Sequence, residues 1–247
     1  MGSDHDVYQD SSFGIPAIYL NDWPDRYIHT NFDSAANVDP TKLKRAAFIG
    51  AASGYYLASE PAGFPLAEVN SGQLFRSVEV ERRLKQVKGL DATVLKREFL
   101  EGENHIVESL PHAPGSQIAW GEFKFQTILP LRIINSEKLD RESATGDGLL
   151  KLKRKTEPKG PLAVFGYDYL EDHAKAAGMS TPKLLSYEGL WGSGEEYAYE
   201  VLNFAHGKRN AQEIRDAVSA EYGPVPLELV VEYLKALEKI GLIEQVK

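Results

Sequence analysis

The sequence predicts an α/β segment with its sheet left incomplete over residues 1–58, a mixed α+β region over 59–190, and a mostly α module over 191–247. Three observations predict it. A short apolar run from Ile15 to Leu20, bounded by Gly14 and Asn21, reads as a buried strand that a small-residue helix follows. Turn-forming and mixed apolar–polar stretches dominate the middle. Three closely spaced apolar stripes at helical period, each with start and stop signals, fill the last fifty residues.

The strand delivers a loop, Asn21 to Val38, that holds Trp23, Pro24, Tyr27, His29 and Asp33. That is more polar and aromatic chemistry than a connector needs, so His29 is the first candidate metal ligand or base. Asp39 is then a good N-cap and Pro40 a good first helical residue, and Leu43 to Ala58 continue without proline. Ala46, Ala47, Gly50, Ala51 and Gly54 make one side of this helix small enough to lie close to a sheet.

Three signals occur here in order: Gly2-Ser3-Asp4-His5, then Phe13 to Leu20, then Tyr27-Ile28-His29-Thr30 with Asp33. This order, with the helix after it, resembles the carboxyl-terminal end of the co-catalytic dizinc aminopeptidases, metallopeptidase family twenty-eight, whose relatives include glutaminyl cyclases and the glutamate carboxypeptidase type. The resemblance covers about a quarter of the chain. It implies zinc as cofactor, two ions in the complete parent, with His29 as the last zinc ligand. It implies a hydrogen-bonding role behind the ligands for Asp4 and a loop-fixing role for Asp33. Many members place an aromatic residue directly before the ligand histidine. Here Ile28 stands there and Tyr27 one step earlier, which leaves Tyr27 as a displaced candidate for a catalytic side chain.

The resemblance puts the family's other ligands and its general base upstream of the Ser-Asp-His motif. A catalytic zinc wants about three protein ligands plus water, and a two-metal site needs a bridging carboxylate and a base as well. His105, His112, His173 and His206 are scattered, without an HExxH or a histidine pair at helical spacing. His105 with Glu108 reads as a solvated face, and His5 as a structural histidine. The expectation is an aminopeptidase-like hydrolase segment acting on the amino end of a peptide in the complete parent and inactive as this chain. The missing half would come from another polypeptide or a second copy. The alternative is a non-enzymatic interaction or oligomerisation module that keeps a hydrolase scaffold.

In the middle, Glu60 to Pro65 reads as a turn-rich break. Ser77 to Leu90 reads as a helix capped by Ser77, with Arg82, Arg83, Lys85 and Lys88 as a solvated basic face. Gln117 to Ile134 suits strands or a covering arm, with Pro130 at an edge. Lys151 to Lys159, after the small polar stretch Ser143 to Gly148, reads as a linker. The glycines of Glu188 to Glu195 lack the lysine of a phosphate-binding loop and read as a turn.

The end of the chain is clearer. Glu195 to Phe204 forms one helix; Asn210 and Glu213 open a second in capping-box fashion; Gly223-Pro224 stops it. Pro226 opens a third through Ile240, and Leu242 to Val246 alternates like a strand. Three helices and a strand resemble a winged-helix-like module. Its charge argues against nucleic acid: from Glu195 to Lys247 there are six Lys and Arg against ten Asp and Glu, where phosphate contact favours the reverse balance. Protein contact is the expected role.

Composition sets the outer bounds. The hydrophobic fraction of 43% and charged fraction of 26% fit a globular chain, and no apolar run approaches a membrane span. No signal peptide is visible, the compartment is left open, and a soluble chain is expected. The absence of cysteine excludes disulfides and thiolate chemistry, and the net charge of −8 argues against general affinity for nucleic acid or anionic membrane.

Overall fold

The computed structural model describes residues 4–21, 24–59, 66–109, 139, 141–166 and 168–246. The expectations for Gly2-Ser3, Trp23, the 60–65 break, His112 and the 117–134 arm lie outside the described residues. The elements are α1 (His5–Gln9), α2 (Pro40–Ser59), α3 (Leu66–Leu84), α4 (Gly89–Ser109), β1 (Lys151–Arg154), α5 (Tyr169–Ala176), α6 (Gly194–Phe204), β2 (His206–Asn210), α7 (Ala211–Tyr222), α8 (Leu227–Lys239) and β3 (Ile243–Gln245). The fold is helix-rich α+β with one three-stranded antiparallel sheet, ordered β2-β1-β3. No helix among the described residues is long and apolar enough to cross a membrane.

The core lies where the sequence periodicity is strongest. Tyr197 and Val201 on α6, Ile214 and Val218 on α7, and Val230, Leu234 and Leu237 on α8 are almost wholly buried, together with Leu184 and Ile243. Local chemistry sets the helix boundaries. Ser193 with Glu196, and Asn210 with Glu213, form reciprocal capping boxes at the starts of α6 and α7. Gly223 ends α7 at φ 102°, where a side chain would be strained and its Cβ would meet Leu190. The glycines around Trp191 serve close packing: a Cβ at Gly189 would overlap the Tyr197 ring, and one at Gly194 the Leu184 and Leu185 carbonyls. They form a turn into α6, closed by the Glu188–Ser193 bridge.

The linker reading of Lys151 to Lys159 is corrected over its first half. Lys151 to Arg154 is the central strand β1, paired with both β2 and β3. The period-2 alternation sends Leu152 into the core, 1% exposed, while Lys151 and Lys153 face water. The packed unit therefore extends upstream of residue 191. Leu150, Leu170 and Leu184 pack with it as well.

The helix expected over 77–90 is also corrected. α3 begins at Leu66, and a turn at residues 85–86 separates it from α4 at Gly89, which takes φ 57°. Ser77 is not a cap: its hydroxyl donates to the Gln73 carbonyl one turn back, inside the helix. Arg83 leaves the solvated face and donates to the carbonyls of Ala220 (3.0 Å) and Glu221 (2.8 Å) at the end of α7. Arg82 stays on the solvated face, paired with Glu79. α4 packs along α7, burying Val94 and Leu95, and the pair Arg97–Asp216 joins the two helices with both side chains over nine-tenths buried. His105 and Glu108 lie on the exposed side of α4.

Residues 14–20 form no strand, which corrects the incomplete α/β reading of the first 58 residues. The run is extended and open: Ile15, Ile18, Tyr19 and Leu20 are each about half exposed or more. Strand geometry needs a ladder partner, and the bonds this run makes are local: Gly14 N–H to the Asp10 carbonyl (2.8 Å), Ile15 N–H to the Tyr8 carbonyl (2.8 Å) and the Ala17 carbonyl from Gln9 Nε2 (2.6 Å). α2 forms as expected, opened by Asp39 accepting from Thr41 N–H at 2.8 Å. Its apolar side chains stay exposed, Phe48 at 72% and Tyr55 at 75%. Cβ atoms added at Gly50 and Gly54 would meet nothing within 4 Å. Replacing both by alanine is expected to raise far-UV helicity, each change favouring the helix by about 1 kcal/mol, without loss of thermal stability. A loss of stability would mean that another chain lies against the small-residue side in solution.

Candidate functional site

The His29 loop is fastened by its own polar groups. Asp25 Oδ1 accepts from the N–H groups of Tyr27 (2.8 Å) and Ile28 (3.2 Å), an Asx turn that sets the approach to His29. Thr30 returns to the Tyr27 carbonyl through its N–H (3.0 Å) and its hydroxyl (2.6 Å), and Asp33 N–H donates to the Thr30 carbonyl at 3.1 Å. Asn37 Nδ2 then donates to the Phe32 carbonyl at 2.7 Å, which ties the loop to the turn before α2. His29 sits inside these turns with φ 62°, the one non-glycine residue at positive φ among the described residues. Such conformations are uncommon outside glycine and concentrate at functional positions, where surrounding structure must hold them. His29 is exposed.

The other sequence-predicted residues fall around this loop with different parts. Tyr27 supplies the carbonyl to which Thr30 returns, and its side chain is 40% exposed. Asp33 contributes its main-chain N–H, and Asp25 carries the carboxylate that fixes the loop. The signal for Asp25 was present in the sequence, an aspartate two and three residues before the amides that it caps. Asp4 opens α1: its carbonyl accepts from Val7 N–H at 3.1 Å and Tyr8 N–H at 3.3 Å, and its side chain makes no cap bond.

The segment from Asp4 to Ser12 is bound to the rest of the chain more firmly than the loop. His5 stacks on Tyr19 with ring centroids 4.4 Å apart and its Nε2 3.1 Å from Asp6 Oδ1, a structural setting for this histidine. Asp10, fully buried, accepts from Arg154 Nη1 with both carboxylate oxygens at 2.8 and 2.9 Å. Arg154 also donates to the Gly160 carbonyl, and Gly160 N–H donates to the Ser12 hydroxyl at 2.8 Å. Ser11 N–H reaches Asn203 Oδ1 at 2.8 Å, and the Tyr199 hydroxyl donates to the Asp6 carbonyl at 2.7 Å. Burial pushes the Tyr199 phenol up to about 12, so it remains a donor across the physiological range. Sequence reasoning missed Asp10, Arg154, Asn203 and Tyr199, which carry no motif and meet only through long-range packing.

Zinc can be weighed against these side chains. Among the described residues, no group of three or more His, Asp or Glu side chains converges to hold a metal ion. His29 offers one imidazole where about three protein ligands are wanted, so these residues do not fit a zinc site by themselves. Comparison with protein-family models, with curated proteins and with solved structures gives no match to this chain.

Proposed function

We propose that residues 4–59 are the closing segment of a zinc-dependent aminopeptidase-like hydrolase domain, and that His29 is a metal ligand whose companion ligands come from outside this segment. The observation that carries the reading is an imidazole held exposed at positive φ on a self-fastened turn. Open apolar side chains of the 15–20 run and α2 suit the contact that would bring the missing sheet. In such an assembled domain His29 would be one of the residues that hold zinc, and the metal would supply Lewis-acid chemistry toward a peptide carbonyl. The part of this chain is to present His29 and to hold the Asp4 end against the C-terminal unit through Asp10 and Arg154. Substrate would be the amino end of a peptide.

The C-terminal unit we read as a winged-helix-like module used for protein contact, because its third helix carries Glu228, Glu232 and Glu238 against Lys235 and Lys239. Lys235 is also occupied by Asp147 at 2.6 Å. The second reading, an interaction or oligomerisation module without catalysis, is favoured by the same exposed apolar run. It predicts assembly that needs no metal.

The two readings separate on cobalt(II) titration of the purified chain followed by NMR of the histidine side chains. The hydrolase reading expects His29 to broaden first, ahead of His5, His173 and His206, with binding weakened at least tenfold in His29→Ala. Equal broadening of all histidines, or titration unchanged by His29→Ala, would overturn it. The chain alone is expected to show no aminoacyl-amide hydrolysis with zinc added; robust turnover would overturn the dependence on outside ligands.

A further inference from the structure

Between the α3–α4 hairpin and the C-terminal unit lies an open cavity of about 550 Å³, and no residue of 4–59 lines it. Val80, Phe99 and Ile106 form its apolar side on the hairpin, and Phe204 and Ala217 face them from α6 and α7. The size and the mix of apolar wall with a few charges suit a small amphipathic ligand.

Most of the charged groups around the cavity are already matched. Arg76 holds Glu103, with Nη2 2.9 Å from Oε2; Arg83 holds Glu79 at 2.8 Å; and Arg141 holds Glu101. Glu98 and Glu221 are the exceptions. Glu98 is matched only in part: its Oε1 accepts from Arg97 Nε at 3.3 Å and Nη2 at 3.2 Å, but that Nη2 is engaged more closely by Asp216. The Glu221 carboxylate makes no hydrogen bond or ion pair among the described residues, and the one cation shared by both, Arg209, lies over the Phe204 ring at 4.4 Å. Burial, then the nearby Glu101 charge, pushes the Glu98 carboxyl up. Burial and the Glu200 charge push Glu221 up to about 7, an effect that water at its exposed side tempers. Both carboxylates would gain from one more cation at the cavity. No three-ligand metal group is present among the described residues, and the facing walls are aromatic and aliphatic, so an organic ammonium on an apolar body matches the lining better than a metal ion.

We propose that this cavity binds the protonated amino end of a short apolar peptide, with the ammonium between Glu98 and Glu221 and the apolar side chains against Phe99 and Phe204. This site is separate from the His29 loop and does not rest on the hydrolase reading. It would sense or retain peptides in the chain whether or not a metal site is completed elsewhere.

The test is calorimetric titration of the full chain with leucyl-leucine amide in buffer containing EDTA, which removes any metal contribution. Saturable binding is expected, weakened at least tenfold by N-acetylation of the peptide and at least tenfold by Glu221→Gln. Glu221 is exposed, so this variant should keep its fold, which its circular dichroism would report. Glu98→Gln is expected to act in the same direction. No binding at 10 mM peptide, equal binding of the acetylated peptide, tighter binding of spermidine than of the peptide amide, or unchanged affinity in the folded Glu221→Gln variant would each overturn the proposal.

Discussion

Asp10→Ala is expected to destabilise the folded chain by about 3–5 kcal/mol, the largest effect of any single polar substitution proposed for this protein. Asp10 is fully buried, and Arg154, 9% exposed, binds it through both carboxylate oxygens. Truncation would leave a buried guanidinium with only the Gly160 carbonyl, and the cost of that stranded charge exceeds what the pair itself contributes. A double variant, Asp10→Leu with Arg154→Met, should recover most of the loss, since replacing both charges by apolar groups removes the stranded ion. Urea midpoints of the wild type, Asp10→Ala, Asp10→Leu, Arg154→Met and the double variant measure this directly. Additive losses, with no recovery in the double variant, would mean that the pair does not hold the first residues to the C-terminal unit. The consequence is functional as well. The pair links the segment bearing Asp4 to the sheet, so its loss should also release protection of the Tyr8 and Gln9 region in hydrogen exchange.

Leu152→Ala is expected to cost about 2–5 kcal/mol, the range for truncating a large buried aliphatic side chain. Leu152 is 1% exposed on the central strand, with Ile243 of β3 and the α6–α8 residues in the same core. Lys153→Ala on the opposite face removes only an exposed pair with Glu244 (3.0 Å) and should stay within about 0.5 kcal/mol. Thermal melts of both variants decide whether residues 151–154 belong to the folded unit. Equal, small effects would restore the linker reading of the basic run.

The elements legible in the sequence are those whose signals are local. The capping box at Asn210, the stop at Gly223 and the opening at Pro226 depend on residues within a turn of one another, and the C-terminal helices appear where these signals put them. α2 is legible for the same reason, through Asp39 and Pro40. The His29 turn was visible as a polar, aromatic loop, but its left-handed backbone and the role of Asp25 were not read, because a dihedral angle follows from several short-range bonds acting together.

What failed to be legible depends on partners distant in the chain. Ile15 to Leu20 has strand composition, yet composition cannot supply a ladder, and the run stays open. The Lys151–Arg154 run has linker composition, yet two strands more than 50 residues downstream enclose it. Ser77 has the chemistry of a cap, yet the helix starts at Leu66 and passes through it, its hydroxyl returning to the Gln73 carbonyl.

By itself, then, the sequence determined the helices of the C-terminal unit, the α2 start, the candidate imidazole at His29 and the acidic balance that argues against nucleic acid. Each of these rests on spacing, capping or charge within a short window. The tertiary structure alone decided that β1 completes the sheet, that Asp10 and Arg154 tie the first residues to that sheet, and that Glu98 and Glu221 line one cavity with an apolar wall. Those depend on which surfaces are brought together. Burial and pairing of a charge are properties of its surroundings, which no local pattern encodes.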